Sequence, residues 1–129
     1  MICLMPILLN KRPSLVAYVT CGDPNLPTTC EIVLAAVDAG ADVIELGVPF
    51  SDPLADGPVI QRASERALRQ GTTLKQVLQV AEDIREQSSV GLIIFSYLNP
   101  IVRMGLRNFA AASADAGVEV ALMTDLPVE

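Results

Sequence analysis

Between Glu45 and Gly57 the chain reads ELGVPFSDPLADG, and four side chains there can accept, donate or relay a proton: Glu45, Ser51, Asp52 and Asp56. They follow a short apolar run, Asp42 to Leu46, that reads as a strand. A carboxylate at the end of a buried strand, with more carboxylates on the loop after it, is how an α/β enzyme assembles a site. The chain contains no histidine, which removes Ser-His-Asp triads, Cys-His pairs and imidazole metal sites. Proton transfer therefore falls to carboxylates, Tyr18, Tyr97, lysine or cysteine.

Each of these residues also has a plainer reading. Glu45 could be a strand-end carboxylate that reaches water or pairs with an arginine. Asp56 precedes Gly57-Pro58, a helix start, and taken alone it reads as an N-cap. Asp52, in Ser-Asp-Pro, reads alone as an Asx-turn. Glu45, Asp52 and Asp56 together could hold Mg²⁺, but carboxylates at this spacing do not specify a metal without a substrate phosphate. Tyr18, Thr20, Phe95 and Tyr97 fall on the inward parity of their strands. They serve equally as core fillers or as walls for a flat aromatic ligand.

The elements that must position these groups alternate. Apolar runs at Leu15–Thr20, Asp42–Leu46, Gly91–Tyr97 and Val118–Met123 read as strands. Cys30, Val33, Leu34 and Val37 repeat at helical spacing behind a Thr28/Glu31 capping box. Leu74, Val77, Leu78, Ala81 and Ile84 do so behind Thr73 and Gln76, and Leu106, Phe109, Ala110 and Ser113 form a third stripe that Gly117 ends. A further helix opens with Pro58 and closes before Gly71. Strands alternating with helices predict a parallel sheet with right-handed crossovers.

An internal repeat sharpens the reading of Glu45. DAGADVIEL (38–46) matches DAGVEVALM (115–123), 77 residues later. Glu45 falls where the second copy has Leu122, so a carboxylate occupies a slot that is otherwise apolar. An unpaired buried carboxylate costs several kcal/mol or shifts its pKa upward, and a fold does not require that cost. The extra length between strands two and three lies at 49–71, in the loop beside Glu45.

Composition bounds the rest. The chain has 129 residues, 51% of them hydrophobic, with a net charge of −6. That suffices for one modest domain with doubly buried strands, and it lacks the basic patch of a nucleic-acid or anionic-membrane binder. Three cysteines without a C-x-x-C pair point to a reduced, cytoplasmic setting. Residues 1–9 are apolar but too short to span a bilayer, and they lack the basic head and cleavage site of a signal peptide.

In order along the chain, AYVTCGDP (17–24), DAGADVIELGVPFSDPLADGPVIQRASERAL (38–68), GTTLKQVL (71–78), FSYLNPI (95–101) and TDLPVE (124–129) resemble the alpha subunit of tryptophan synthase. The resemblance implies the (βα)8 TIM-barrel class of α/β fold, here a four-stranded parallel half-barrel. It implies a lyase that cleaves indole-3-glycerol phosphate to indole and glyceraldehyde 3-phosphate, without a metal or a cofactor of its own. Glu45 matches the family's catalytic acid/base and Asp56 its catalytic aspartate. Tyr18, Phe95, Tyr97, Leu122 and Thr124 match the substrate pocket. Pro49, Ser51, Asp52 and Pro53 match the contact with a pyridoxal-phosphate-dependent beta subunit, within a heterotetramer. Residues 1–12 depart from the family pattern and form a separate apolar head before the half-barrel at 13–129. A complete barrel needs about 250 residues, so the expectation for this chain alone is little activity, two open strand edges and self-association.

Overall fold

The computed structural model describes residues 2–3 and 13–127. In chain order the elements are β1 (Ile2–Cys3), β2 (Val16–Thr20), α1 (Leu26–Asp38), β3 (Val43–Gly47), α2 (Pro58–Arg69), α3 (Leu74–Arg85), β4 (Gly91–Ser96), α4 (Leu98–Met104), α5 (Leu106–Asp115) and β5 (Val120–Met123). One sheet holds the strands in the order β1-β5-β4-β3-β2. The four strands β2 to β5 are parallel, as the alternating pattern predicts. The sheet nevertheless has a fifth member. Ile2–Cys3 pairs antiparallel with Ala121 and Val120, so part of the β5 edge expected to be open is covered. The rest of the 1–12 head, and Glu129, lie outside the described residues.

Strand alternation divides the sheet into two faces. Ile44, Leu46, Leu92, Ile94 and Ala121 face the helices and, with Val33, Val77, Ala81, Ile84 and Ile101, make the core; most are fully buried. Burying each such Ile or Leu contributes about 1.5–3 kcal/mol. The opposite face carries Val16, Tyr18, Val43, Glu45, Ile93, Phe95, Val120 and Leu122. It is the concave side, away from the helices.

Helix starts differ in part from expectation. The Thr73/Gln76 capping box forms as read, with Thr73 N–H on Gln76 Oε1 at 2.9 Å and Gln76 N–H on Thr73 Oγ1 at 3.3 Å. The Thr28/Glu31 box does not. Asn25 is the N-cap of α1, its Oδ1 accepting the Thr28 N–H at 2.9 Å, because Leu26-Pro27 begin the helix earlier. α5 buries Phe109 and Ser113, but Leu106 of the expected stripe is 57% exposed.

The repeat is structural as well as sequential. Asp42 Oδ2 accepts the Leu15 N–H at 2.8 Å, and the Asp42 N–H bonds Leu15 O at 2.9 Å. Glu119, its counterpart, accepts the Leu92 N–H on Oε2 at 2.7 Å, and its N–H bonds Leu92 O at 3.0 Å. Each acid pins its strand to the preceding one at the end remote from the site. Glu119 is also held by Arg85 Nη2 at 2.8 Å. That guanidinium lies over Gly117 (φ +73), where an added Cβ would fall 2.7 Å from Arg85 Nε.

This equivalence fixes a stagger. Through the ladders, Val16 is level with Val43, and Val43 with Gly91. The repeat instead carries Val16 to Ile93, two residues further along, just as Val43 is carried to Val120, the ladder partner of Ile93. Two strands thus advance the register by two residues. Over eight strands that accumulates to about eight, the shear of a closed (βα)8 barrel. The sheet is a half-barrel by its own register.

Candidate active site

Glu45 sits in the middle of β3, level with Tyr18 on β2 and Ile93 on β4. Its neighbours in sequence, Ile44 and Leu46, are fully buried toward the helices, whereas Glu45 is only half-buried. The carboxylate therefore lies on the concave face, the slot that Leu122 fills on β5.

The two aromatic rings above it meet across Gly47. Tyr18 and Phe95 are separated by one strand, yet their centroids are 5.3 Å apart in an edge-to-face pair at 83°. They meet because β3 has no side chain at 47: an added Cβ would lie 2.1 Å from the Tyr18 hydroxyl oxygen. Thr20 Oγ1 bonds that oxygen at 3.3 Å. Burial pushes the Tyr18 phenol up, the Thr20 bond opposes it, and Asp56, Cys21 and Glu45 each push it further up. Glu45 and Asp56, eleven positions apart in sequence, are thus both electrostatic neighbours of one hydroxyl.

Asp56 reaches the site from the loop after β3. The N-cap of α2 is Gly57, with no side-chain cap, so Asp56 is not the cap that its position before Gly-Pro suggests. Instead the Tyr97 hydroxyl donates to Asp56 Oδ2 at 3.2 Å and accepts the Ala55 N–H at 2.8 Å. Tyr97 is 5% exposed and stacks on Phe50 with centroids 5.0 Å apart. Its phenol is pushed up first by burial and then by the nearby Asp56 carboxylate, against the lowering effect of the Ala55 bond. Two of the Glu45–Gly57 loop's residues are therefore clamped to the start of α4 by one side chain.

Leu122 lies beside Phe95 in the ladder, half-buried on the concave face. Thr124 follows β5, with its N–H on Ser96 O at 3.2 Å, and its hydroxyl is buried without a hydrogen-bond partner of acceptable geometry. That hydroxyl is close enough to Tyr97 to lower its pKa. The site thus brings together Glu45, Asp56, Tyr18, Phe95, Tyr97, Leu122 and Thr124. Ile93, on the same parity as Phe95, is a wall residue that the sequence pattern allowed but that was not singled out. Gly47 and Phe50 were missed because their roles depend on contacts across strands.

Asp52 is apart from this group. Its carboxylate accepts the Ser51 hydroxyl at 2.8 Å, with no Asx-turn bond, and both residues are exposed. Pro49 is buried and, with Ser51 and Arg103, lines a separate cleft of about 310 Å³ under the loop. Leu54 at the loop tip is 93% exposed. Among the described residues no group of three or more His, Cys, Asp or Glu side chains is placed to hold a metal ion, so Glu45, Asp52 and Asp56 do not converge as one. Cys21 is fully buried and its thiol is pushed up to about 12, chiefly by burial and then by Cys30. No helix among the described residues is long and apolar enough to cross a membrane.

Comparison with known proteins bears on this arrangement. A family model described as "Tryptophan synthase alpha chain" matches residues 6–129. The tryptophan synthase alpha chain of Solibacter usitatus is 57% identical over 120 residues, which cover 93% of this chain and 45% of that one. The alpha subunit from Legionella pneumophila superposes with a TM-score of 0.86 at 43% identity, over 88% of this chain and 44% of that one. A chain of the Pyrococcus furiosus tryptophan synthase complex does so with a TM-score of 0.85 at 43% identity, over 89% of this chain and 48% of that one. The chain spans about half the length of the relatives it matches.

Proposed function

The chain belongs to the tryptophan synthase alpha chain family, and on that premise we propose that it forms the catalytic half of a lyase acting on indole-3-glycerol phosphate. The observation that carries this reading is the placement of Glu45 on the concave face of β3, level with Tyr18. A lone carboxylate in an otherwise apolar slot, walled by Tyr18, Phe95, Ile93 and Leu122, suits a flat aromatic substrate whose chemistry is proton transfer.

Glu45 gives its proton to C3 of the indole ring, which makes the ring a cationic indoleninium. The bond from C3 to the glycerol carbon then breaks, and its electron pair returns to the ring. The carbon's hydroxyl loses its proton, and Glu45, now a carboxylate, is placed to take it. Indole and glyceraldehyde 3-phosphate result. Asp56 accepts a hydrogen bond from the indole N–H and stabilises the positive ring, a charge that exists only along the reaction path. These steps use the chain's own side chains. The phosphate is held by the other half of the barrel, since in this architecture phosphate loops follow strands seven and eight.

The loop at 49–57 has a second role in this reading. Its exposed Ser51, Asp52 and Leu54, with half-buried Pro53 and buried Pro49, form the docking surface for a pyridoxal-phosphate-dependent beta subunit that takes the indole. The full exposure of an apolar Leu54 supports an interaction surface there. A chain that docks such a subunit without turnover is the alternative.

The two readings are separated by a chimera in which this sequence replaces the matching half of the Solibacter usitatus relative. Release of indole and glyceraldehyde 3-phosphate in equal amounts supports the lyase. Binding of a beta subunit with no indole release supports the docking module.

A further inference from the structure

The side chain that holds Asp56 sits where a helix has no cap of its own. Tyr97 is the N-cap residue of α4 (φ −86°, ψ 161°), and its side chain makes no capping bond. Its hydroxyl is engaged elsewhere, donating to Asp56 Oδ2 and accepting the Ala55 N–H. α4 has only seven residues, Leu98 to Met104, so little helix lies behind that first turn to hold it. The first N–H groups of a helix have no partner within it and must be met from outside. Here the Leu98 N–H is met by Asp125 Oδ1 at 2.7 Å, from 27 residues downstream. The sheet places Asp125, because the Thr124 N–H bonds Ser96 O at 3.2 Å and carries the β4–β5 ladder one step past β5. The Ser96 hydroxyl in turn donates to Tyr97 O at 2.8 Å.

We propose that Asp125 is a positioning residue for Asp56, acting through Tyr97. The relay crosses the segments that follow three successive strands: Asp125 after β5, Tyr97 after β4 and Asp56 after β3. Two hydrogen bonds join them, from the Leu98 N–H to Asp125 and from the Tyr97 hydroxyl to Asp56. A carboxylate suits the first of these. A backbone N–H bonds a charged acceptor roughly twice as strongly as a neutral one, and negative charge is favoured at a helix start. Without Asp125 the first turn of α4 frays, and the backbone at 97 turns with it. The Tyr97 hydroxyl is at the far end of its ring, so a small turn of the backbone displaces it and releases the Asp56 carboxylate. The inference rests on the role proposed above for Asp56, which requires close placement: a shift of about 1 Å can cost about 10²-fold in rate.

Amide hydrogen exchange on the chain itself reads this relay without any substrate. The Ala55 N–H, bonded to the Tyr97 hydroxyl at 2.8 Å, reports whether Tyr97 is in place. Asp125→Ala should raise its exchange rate about ten-fold, close to the rate in Tyr97→Phe. Asp125→Asn keeps an acceptor at Oδ1 and should hold the rate within a few-fold of wild type. The Glu119 N–H, on Leu92 O at 3.0 Å at the other end of the sheet, should stay protected in all three variants and shows that they fold. In the chimera, Asp125→Ala should lower kcat for indole release about three- to ten-fold with KM little changed. Asp125→Asn should restore most of that loss, and Asp125→Ala should cost nothing further in a Tyr97→Phe background. An Ala55 exchange rate unmoved by Asp125→Ala in a folded chain would overturn the proposal, and so would losses that multiply in the double variant. A chimera that releases no indole before any substitution would contradict the lyase reading instead, and the exchange rates would still decide the relay.

Discussion

Tyr97 holds Asp56 by a hydroxyl that donates to its Oδ2 at 3.2 Å and accepts the N–H of the preceding residue, Ala55, at 2.8 Å. One side chain thus sets both the backbone and the carboxylate of a loop that is otherwise largely exposed. Its own position is set in turn by stacking on Phe50 and by the start of α4, whose Leu98 N–H is capped by Asp125 at 2.7 Å.

Tyr97→Phe keeps the ring and its stacking but removes the hydroxyl that holds the Asp56 carboxylate. In the chimera, kcat/KM for indole release should fall about ten-fold through looser placement of Asp56, with a stability loss of about 1 kcal/mol for the lost hydrogen bond. Steady-state kinetics and urea unfolding check the two parts separately. Unchanged kinetics would mean that the loop holds Asp56 without Tyr97.

Asp56→Asn retains an acceptor for the indole N–H but removes the charge that stabilises the cationic ring. The expected loss in kcat is ~10–100-fold, smaller than that for Glu45→Gln in the same protein. Single-turnover measurements would show the ranking, and a reversed order would exchange the roles assigned to the two carboxylates.

Asp23, on the loop after β2, makes a bidentate pair with Arg66 of α2 at 2.8 and 2.7 Å, and this pair holds its carboxyl below the usual value of 3.8. A lowered native pKa means that the stabilisation is present above the unfolded value and is lost as pH falls through the native one. Asp23→Asn should therefore be less stable than wild type at pH 7, with the gap closing below about pH 3.8. Denaturation midpoints at several pH values test the sign. The size is small, since Arg66 is half exposed and solvent screens the pair.

Glu119 and Glu65 are each paired to an arginine, at 2.8 and 2.6 Å, but they should not matter equally. Glu119 is 12% exposed and also takes the Leu92 N–H, whereas Glu65 is 60% exposed beside Arg69. Glu119→Ala should cost about 3 kcal/mol, because it leaves a buried N–H unpaired and takes the carboxylate partner from Arg85, which keeps only its bonds to Gly117 O and Ser88 O. Glu65→Ala should cost less than about 0.5 kcal/mol. Urea unfolding of the two variants decides, and equal effects would contradict the pin.

Much of this was legible in the chain. The alternation of strand and helix, the Thr73 box and the face of Glu45 follow from periods of 2 and 3.6 and from the repeat that sets Glu45 against Leu122. What was not legible depends on contacts distant in sequence. Asp56 looks like a cap until Tyr97, 41 residues away, is seen to hold it. α4 was missed because its start is capped by Asp125 from 27 residues downstream. Thr28 lost its capping role to Asn25, a competing signal only three residues earlier. The Ile2–Cys3 strand had no pattern to announce it, because two residues carry no period.

The role of Glu45 is the central claim, and Glu45→Gln tests it most directly. Amide and acid have nearly the same shape, so substrate binding should survive while proton transfer does not. In the chimera, the rate of indole release from saturating indole-3-glycerol phosphate should fall by about 10²–10⁴-fold, with the dissociation constant for substrate within a few-fold of wild type. Turnover within a few-fold of wild type would contradict the assignment of Glu45 as the group that moves the proton.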